Sequence, residues 1–208
     1  VCRPGYSPTH IKDWQPHTLY GESKMIGEQI VHNDDNKKVW CIVRPTTVWG
    51  PGMNEHYQRF IHLVELGRYF HVGSKPLLKS YGYVGNVVYQ YLKLMEASQE
   101  DIYSKMFYLA DYEPISLRKW VDMLSLELGA RDIITIPEIL ARFVGLSGDM
   151  INKLGFGKFP FNSFRLNNVL TEYQVDTSVT EQVCGDLPFS TDTGVKETIA
   201  WYKELRKI

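Results

Sequence analysis

The chain has 208 residues, 44% hydrophobic and 23% charged, with a formal net charge of −1. That composition is ordinary for a globular protein of one large domain or two small ones, and it gives no electrostatic case for a nucleic-acid or membrane partner. No apolar run is long enough to span a bilayer and no signal peptide is read; three cysteines and six histidines without ligand spacing suit a reduced cytoplasmic setting and no metal.

Residues Arg3 to His17 are rich in Pro, Gly and Ser and read as a loop, either arching over a site or simply a solvated connector. Leu19 to Val31 reads as a helix. Thr18 is its N-cap, Glu22 lies near its first turn, and Met25, Ile26 and Ile30 form an apolar face. Asp34-Asp35-Asn36 ends it in a polar turn. Tyr20 and Lys24 are one turn apart on one face. A phenol is a poor base at neutral pH, and a fixed ammonium one turn away favours the phenolate, so the pair suits proton exchange with a substrate hydroxyl. With 13 tyrosines and 14 lysines in the chain, chance alone supplies about one such spacing. A second pair, Tyr89 and Lys93, exists. Surroundings must therefore separate a working pair from a half-buried tyrosine beside a surface lysine.

Val39 to Val43 is a continuous apolar run, as expected of a strand buried on both faces of a parallel sheet. Pro45 stops it, and Gly50-Pro51-Gly52 turns the chain away in a Pro/Thr/Gly loop. In such sheets ligands bind at the carboxyl ends of the strands. Tyr20-Gly21-Glu22-Ser23-Lys24, followed by Arg44-Pro45-Thr46-Thr47-Val48-Trp49-Gly50-Pro51-Gly52, resembles the extended short-chain dehydrogenase/reductase family, and within it the NAD-dependent epimerase/dehydratases acting on nucleotide sugars. The resemblance implies an α/β fold: the second half of a Rossmann-type doubly wound parallel sheet plus a smaller α/β substrate domain. It makes Tyr20 and Lys24 catalytic, and sets Tyr20, Lys24, Pro45, Thr46 and Val48 against an NAD cofactor. Thr47 stands where many relatives put an Asn that contacts the substrate diphosphate. No strand–Gly-x-x-Gly-x-x-Gly–helix turn for the cofactor pyrophosphate is present, and Gly155-Phe156-Gly157 reads as a loop. The expectation is the C-terminal part of a longer enzyme, with roughly 100 residues or more upstream, including the family's catalytic Ser or Thr.

Past Gly52, Met53 to Gly67 reads as a helix with Tyr57, Phe60, Ile61 and Val64 on one face. Tyr69 to Gly73 and Leu77 to Val84 read as short strands. By likeness to the family, Lys79 contacts the nucleotide phosphates, where arginine is usual, and Asn86 replaces a usual acidic residue. Gly85 to Ala97 is an amphipathic helix whose Tyr89/Lys93 pair is read as packing. Met106 to Asp111 is a core strand, and a helix capped by Ser116 runs to about Leu128 before Gly129. Ile133 to Ile136 is a short strand and Glu138 to Leu154 one or two helices. Phe156, Phe159, Phe161 and Phe164 form an aromatic segment, either a wall against a nucleotide base or core packing. Arg165 is a substrate-phosphate candidate. Asp176-Thr177-Ser178 resembles a family turn capping a helix over about Val179 to Val183. A terminal helix runs from about Thr191 to Leu205, anchored by Trp201 and Tyr202.

The expected organisation is 1–112 as mainly the C-terminal half of the Rossmann domain, with 54–84 contributing to the substrate domain, and 113–208 as mainly the substrate-binding domain. The function implied is an NAD-dependent nucleotide-sugar epimerase. The alternatives are a dehydratase or reductase of the same family, or a truncated non-catalytic relative acting as a binding module. The partners implied are a nucleotide sugar and a second copy of the chain, because relatives commonly dimerise through the helix that carries the Tyr/Lys pair.

Overall fold

The computed structural model describes residues 12–16, 18–33, 39–155 and 161–207. The turn at Asp34-Asp35-Asn36, residues Arg3 to Ile11 and His17 of the first loop, and Phe156, Gly157 and Phe159 lie outside them. In chain order the elements are α1 (Leu19–His32), β1 (Cys41–Pro45), β2 (Thr47–Trp49), α2 (Glu55–Glu65), β3 (His71–Val72), β4 (Leu78–Lys79), β5 (Tyr81–Tyr83), α3 (Val84–Glu96) and α4 (Gln99–Ile102). There follow β6 (Lys105–Leu109), β7 (Ile115–Ser116), α5 (Leu117–Leu128), β8 (Thr135–Ile136), α6 (Glu138–Lys153), α7 (Ser163–Leu170), α8 (Ser178–Cys184) and α9 (Thr191–Leu205). The chain divides into two units. The first takes Val1–Met53, Ser80–Pro114 and Tyr173–Ile208; the second takes Asn54–Lys79 and Ile115–Glu172.

In the first unit β1 pairs with β6 in parallel, Cys41 opposite Lys105 and Pro45 opposite Leu109. Pro45 ends the strand, and the Thr46 N–H makes the next bond to the Leu109 carbonyl at 3.0 Å. Parallel pairing of strands so far apart in sequence requires a crossover, which suits the expected α/β class. The stretch read as a loop after Pro45 holds a further strand: β2 pairs in parallel with β5, Thr47 opposite Tyr81. Burial on both faces of the first strand holds only in part. Ile42 is buried, its neighbours are half-buried and Pro45 is exposed, because among the described residues β1 has a partner on one edge only.

The core of this unit is Val87, Leu94, Phe107, Leu109 and Cys184, with Val43 and Val48 packed against it. Helix α3 reaches that core by the three-and-four spacing of Asn86, Val87, Gln90 and Leu94. Its two buried amides are bonded: Gln90 Nε2 donates to the Ala110 carbonyl at 2.9 Å, and Asn86 Nδ2 donates to Asp111 Oδ1 at 2.7 Å and to the Phe189 carbonyl at 2.9 Å. Asn86 Oδ1 accepts from the Phe189 N–H at 3.0 Å. The amide suits this position because an acid there would face Asp111 with a second carboxyl. Helix α9 packs at close range. A Cβ at Gly194 would stand 2.7 Å from the Tyr83 ring and 2.9 Å from Trp49, so only glycine fits. The segment from Tyr173 on, grouped with 113–172 in the sequence reading, packs with this first unit.

The second unit pairs β3 with β8 in parallel and β4 with β7 in antiparallel fashion. Helix α2 is capped by Asn54, whose side chain accepts from the His56 and Tyr57 N–H groups. It packs on α5 with Phe60 stacked on Trp120, ring centroids 5.9 Å apart. A second cluster joins Val72, Ala141 and Leu166, with Phe70 and Phe161 against it. Phe161 is therefore core, its ring 5.3 Å from that of Phe70. Helix α7, absent from the sequence reading, starts two residues later.

Candidate active site

Helix α1 begins as its sequence dictates. The Thr18 hydroxyl accepts from the Gly21 N–H at 3.0 Å, and Glu22 adds negative charge to the first turn. The helix is thereby phased so that Tyr20, Lys24 and Glu28, at four-residue intervals, share a face. The Lys24 ammonium lies over the Tyr20 ring, 5.4 Å from its centroid. The Tyr20 side is open, 63% exposed, and its hydroxyl makes no hydrogen bond to the described residues.

This face borders a cavity of about 630 Å³ whose lining, among the described residues, belongs to the first unit. That volume lies within the range of small-molecule sites. Helix α1 contributes Tyr20, Lys24, Met25 and Glu28 among others; the end of β1 and the start of β2 contribute Val43 to Thr47; Trp14, Tyr91, Tyr108 and Tyr173 also line it. The structure thus brings together Tyr20, Lys24, Pro45, Thr46 and Thr47. Val48 points the other way, into the core, as the alternation of a strand requires once Thr47 faces the cavity.

Two of the expected residues are elsewhere, in the second unit. Lys79 is 5% exposed. Its ammonium donates to the carbonyls of Asn168, at 3.0 Å, and Thr171, closing the C-terminal end of α7, where a cation is favoured. Burial pulls its pKa down, partly opposed by Glu172. The phosphate contact expected of Lys79 thus gives way to a structural one, since the side chain turns onto a helix end that sequence reading did not detect. Arg165 is exposed on the first turn of α7 and does not line the cavity.

Glu28 and Arg44, which the sequence does not mark as site residues, also belong to the site. Arg44 Nε and Nη2 donate to the two Glu28 oxygens at 2.8 and 2.6 Å, a bidentate pair. Trp14 Nε1 donates to Glu28 Oε2 at 2.6 Å, and Arg44 Nη1 donates to the Tyr108 hydroxyl at 3.2 Å. Burial pushes the Glu28 carboxyl up, but the bonds from Arg44 and Trp14 outweigh it and hold it below its ordinary value. Burial likewise opposes the Arg44 charge, and its bonds to Glu28 and Tyr108 more than restore it. The pair fastens the Tyr20/Lys24 helix to β1. The signal was present: Glu28 is the next step of the four-residue series, and Arg44 directly precedes Pro45.

The sequence model of the 3-beta hydroxysteroid dehydrogenase/isomerase family matches residues 8–137, well over half of the chain. A curated relative from Escherichia coli O157:H7, N-acetyl-alpha-D-glucosaminyl-diphospho-ditrans,octacis-undecaprenol 4-epimerase, is 21% identical over 201 residues, covering 94% of this chain and 60% of that protein. Among solved structures, UDP-glucuronic acid 4-epimerase from Bacillus cereus in complex with NAD superposes with a TM-score of 0.65 at 15% identity, over 91% of this chain and 54% of that one. The human epimerase family protein SDR39U1 with NADPH does so with 0.62 at 14% identity, over 95% and 61%. These structures share the fold, and this chain spans 54–61% of the length of these relatives. The Tyr/Lys helix, the strand ending in Arg44-Pro45 and the crossover to β6 all fall within the matched segment, and by that match the chain belongs to the 3-beta hydroxysteroid dehydrogenase/isomerase family.

Proposed function

We propose that this chain is part of an NAD-dependent epimerase of sugars carried on a diphosphate, with Tyr20 as its acid/base. The observation that carries the reading is the Tyr20 phenol, which has no hydrogen-bond partner among the described residues and stands one turn from the Lys24 ammonium on the wall of the 630 Å³ cavity. The first unit is read as the far half of a dinucleotide-binding domain and the second as part of the substrate domain.

The residues present fit the nicotinamide end of the cofactor: an ammonium able to donate to a ribose hydroxyl, and Pro45 and Thr46 bordering the same cavity. When bound, the nicotinamide supplies reversible acceptance of hydride. Tyr20 takes the proton of the sugar hydroxyl on its phenol oxygen and later returns it. Lys24 sets a positive charge beside that oxygen as it becomes negative. The Glu28–Arg44 pair keeps the helix carrying both in register with β1. Thr47 offers a hydroxyl to the diphosphate. Leu19, Ile26 and Ile30 leave an exposed apolar face on α1, the surface on which a second copy would pack.

Two diphosphate carriers fit this chemistry, the nucleotide of the sequence reading and the polyprenol that the curated relative's name states for that enzyme. The test is to assay the whole protein for 4-epimerisation of UDP-N-acetylglucosamine and of polyprenyl-diphosphate N-acetylglucosamine, alongside calorimetric titration with NAD. Interconversion of either sugar, abolished by Tyr20→Phe with NAD affinity retained, is expected. Full turnover by that variant would overturn the assignment of Tyr20.

A further inference from the structure

Helix α6 carries its small residues inward and its large apolar residues outward. Ala141, Gly145 and Gly148 are its buried positions. On the opposite side of the 3.6-residue repeat stand Ile139, Phe143, Leu146 and Met150, each at least 60% exposed, with Leu140 and Leu154 along one edge at 48% and 63%. A monomer ordinarily has the reverse arrangement, and a patch of this extent exceeds the single apolar residues that its surface scatters. The central four residues are spaced at intervals of four, three and four. That is the seam spacing of helices that pair side by side, and it reads the same from either end.

The charges decide what pairs with it. By helical phase Glu138, Arg142, Asp149 and Lys153 all stand along the other edge of the stripe. In chain order they run acid, cation, acid, cation, at intervals of four, seven and four. The spacing is symmetric about the helix midpoint and the sign is reversed across it. An identical helix laid antiparallel therefore sets every acid against a cation: Arg142 against Asp149 of the second copy and Glu138 against its Lys153, each pair occurring twice. A parallel pair in register would set like against like. In the antiparallel register that places Phe143 against Leu146 and Ile139 against Met150 of the second copy, Arg142 and Asp149 are offset by two residues, about 3 Å along the axis. Side chains on a helix lean toward its N-terminus, and in an antiparallel pair that lean carries these two toward each other. Arg142 already holds its own Glu138 at 2.6 Å, so the four charges of each copy join into one network. Equal numbers of acids and cations give the face no preference for a partner of one sign, and they are what a self-complementary surface requires.

We propose that the outward face of α6 is an isologous interface, packed antiparallel on α6 of a second copy of this chain about a two-fold axis. It belongs to the second unit, whereas the apolar face of α1 belongs to the first, so the two associations are separable by substitution. Neither depends on the enzymatic reading. The mass of the whole protein is measured by sedimentation equilibrium. Phe143→Ser with Leu146→Ser, both exposed positions, should halve that mass, with an unchanged thermal unfolding curve as the check on folding. Arg142→Asp sets acid against acid at the edge of the seam and should raise the dissociation constant about tenfold or more. Adding Asp149→Arg to it restores the pairing with its signs exchanged and should return the constant to within about threefold of the parent's. An apolar patch without a defined register would give no such recovery. A monomeric parent overturns the proposal, and cosedimentation of that monomer with phosphatidylglycerol vesicles would give the face to a bilayer instead. A parent whose mass is halved by Ile26→Ser with Ile30→Ser on α1 and unchanged by the α6 substitutions overturns it as well. A double charge reversal that dissociates as far as Arg142→Asp alone overturns the antiparallel register.

Discussion

The two Tyr-x-x-x-Lys pairs of this chain have nearly the same internal geometry and different surroundings. Lys24 lies 5.4 Å from the Tyr20 ring centroid and Lys93 lies 5.6 Å from that of Tyr89. The Tyr89 hydroxyl, however, donates to the Cys184 carbonyl at 3.2 Å, and Lys93 stands 3.9 Å from Glu96. Both groups of the second pair have partners, which is the packing role its sequence setting implied. The first pair opens on a cavity, and the next residue of its face, Glu28, is tied to the strand behind it. A helical spacing aligns a phenol with an ammonium wherever it occurs. What differs is whether the phenol oxygen already has a partner and whether space for a substrate lies in front of it.

The largest effect should come from breaking the first pair. Tyr20→Phe in the whole protein is expected to lower epimerase turnover about 10²–10⁴-fold, while Tyr89→Phe leaves turnover within about twofold. Steady-state rates of the two variants measured side by side decide it, and equal losses would erase the distinction. Next in size is the anchor of the first face. Glu28→Gln leaves Arg44 without its counter-charge and should cost about 2–4 kcal/mol in denaturant unfolding. The sign with pH is fixed by the lowered Glu28 pKa. Its contribution is full above its ordinary value of 4.5 and is lost as pH falls through the lower folded value, so parent and variant should converge in acid.

The helix of the second pair yields smaller, purely structural effects. Burial already holds the Asp111 carboxyl above its ordinary range, against the bonds from Asn86 and the Tyr83 N–H. Asn86→Asp replaces a donor to it with a second carboxyl and should cost about 2 kcal/mol at neutral pH. That loss grows as pH rises from acid, because the variant must ionise two facing carboxyls; a melting temperature independent of pH would contradict it. Smallest is the structural effect of Tyr89→Phe, which removes one hydrogen bond and should lower stability by about 1 kcal/mol.

Sequence alone located the Tyr20/Lys24 helix because its cap, its charge in the first turn and its apolar positions all act within a few residues. The Pro45 stop and the helices over α2, α3, α5 and α9 were legible for the same reason. Lys79 was not, because its role depends on the carbonyls of Asn168 and Thr171, some ninety residues away. The strand β2 was hidden in a Pro/Thr/Gly stretch because its pairing with β5 is a tertiary fact. The outward stripe of α6 escaped since periodicity reports that a helix has an apolar face, not whether that face turns inward.

The first unit is drawn from three separated stretches of chain, and that governs when it can form. Asn86 bonds to Phe189 across 103 positions and Tyr83 to Glu197 across 114. Such distant closures make for slow folding. During synthesis, β1, β6 and α3 emerge long before α8 and α9. Until α9 clears the ribosome, the Asn86 amide lacks its bonds to Phe189 and the Trp49/Tyr83 seat lacks Gly194, and the nascent unit depends on protection from aggregation. A chain stopped at Glu172 would retain every residue of the second unit and of the proposed catalytic pair, yet would lack the elements that close the first.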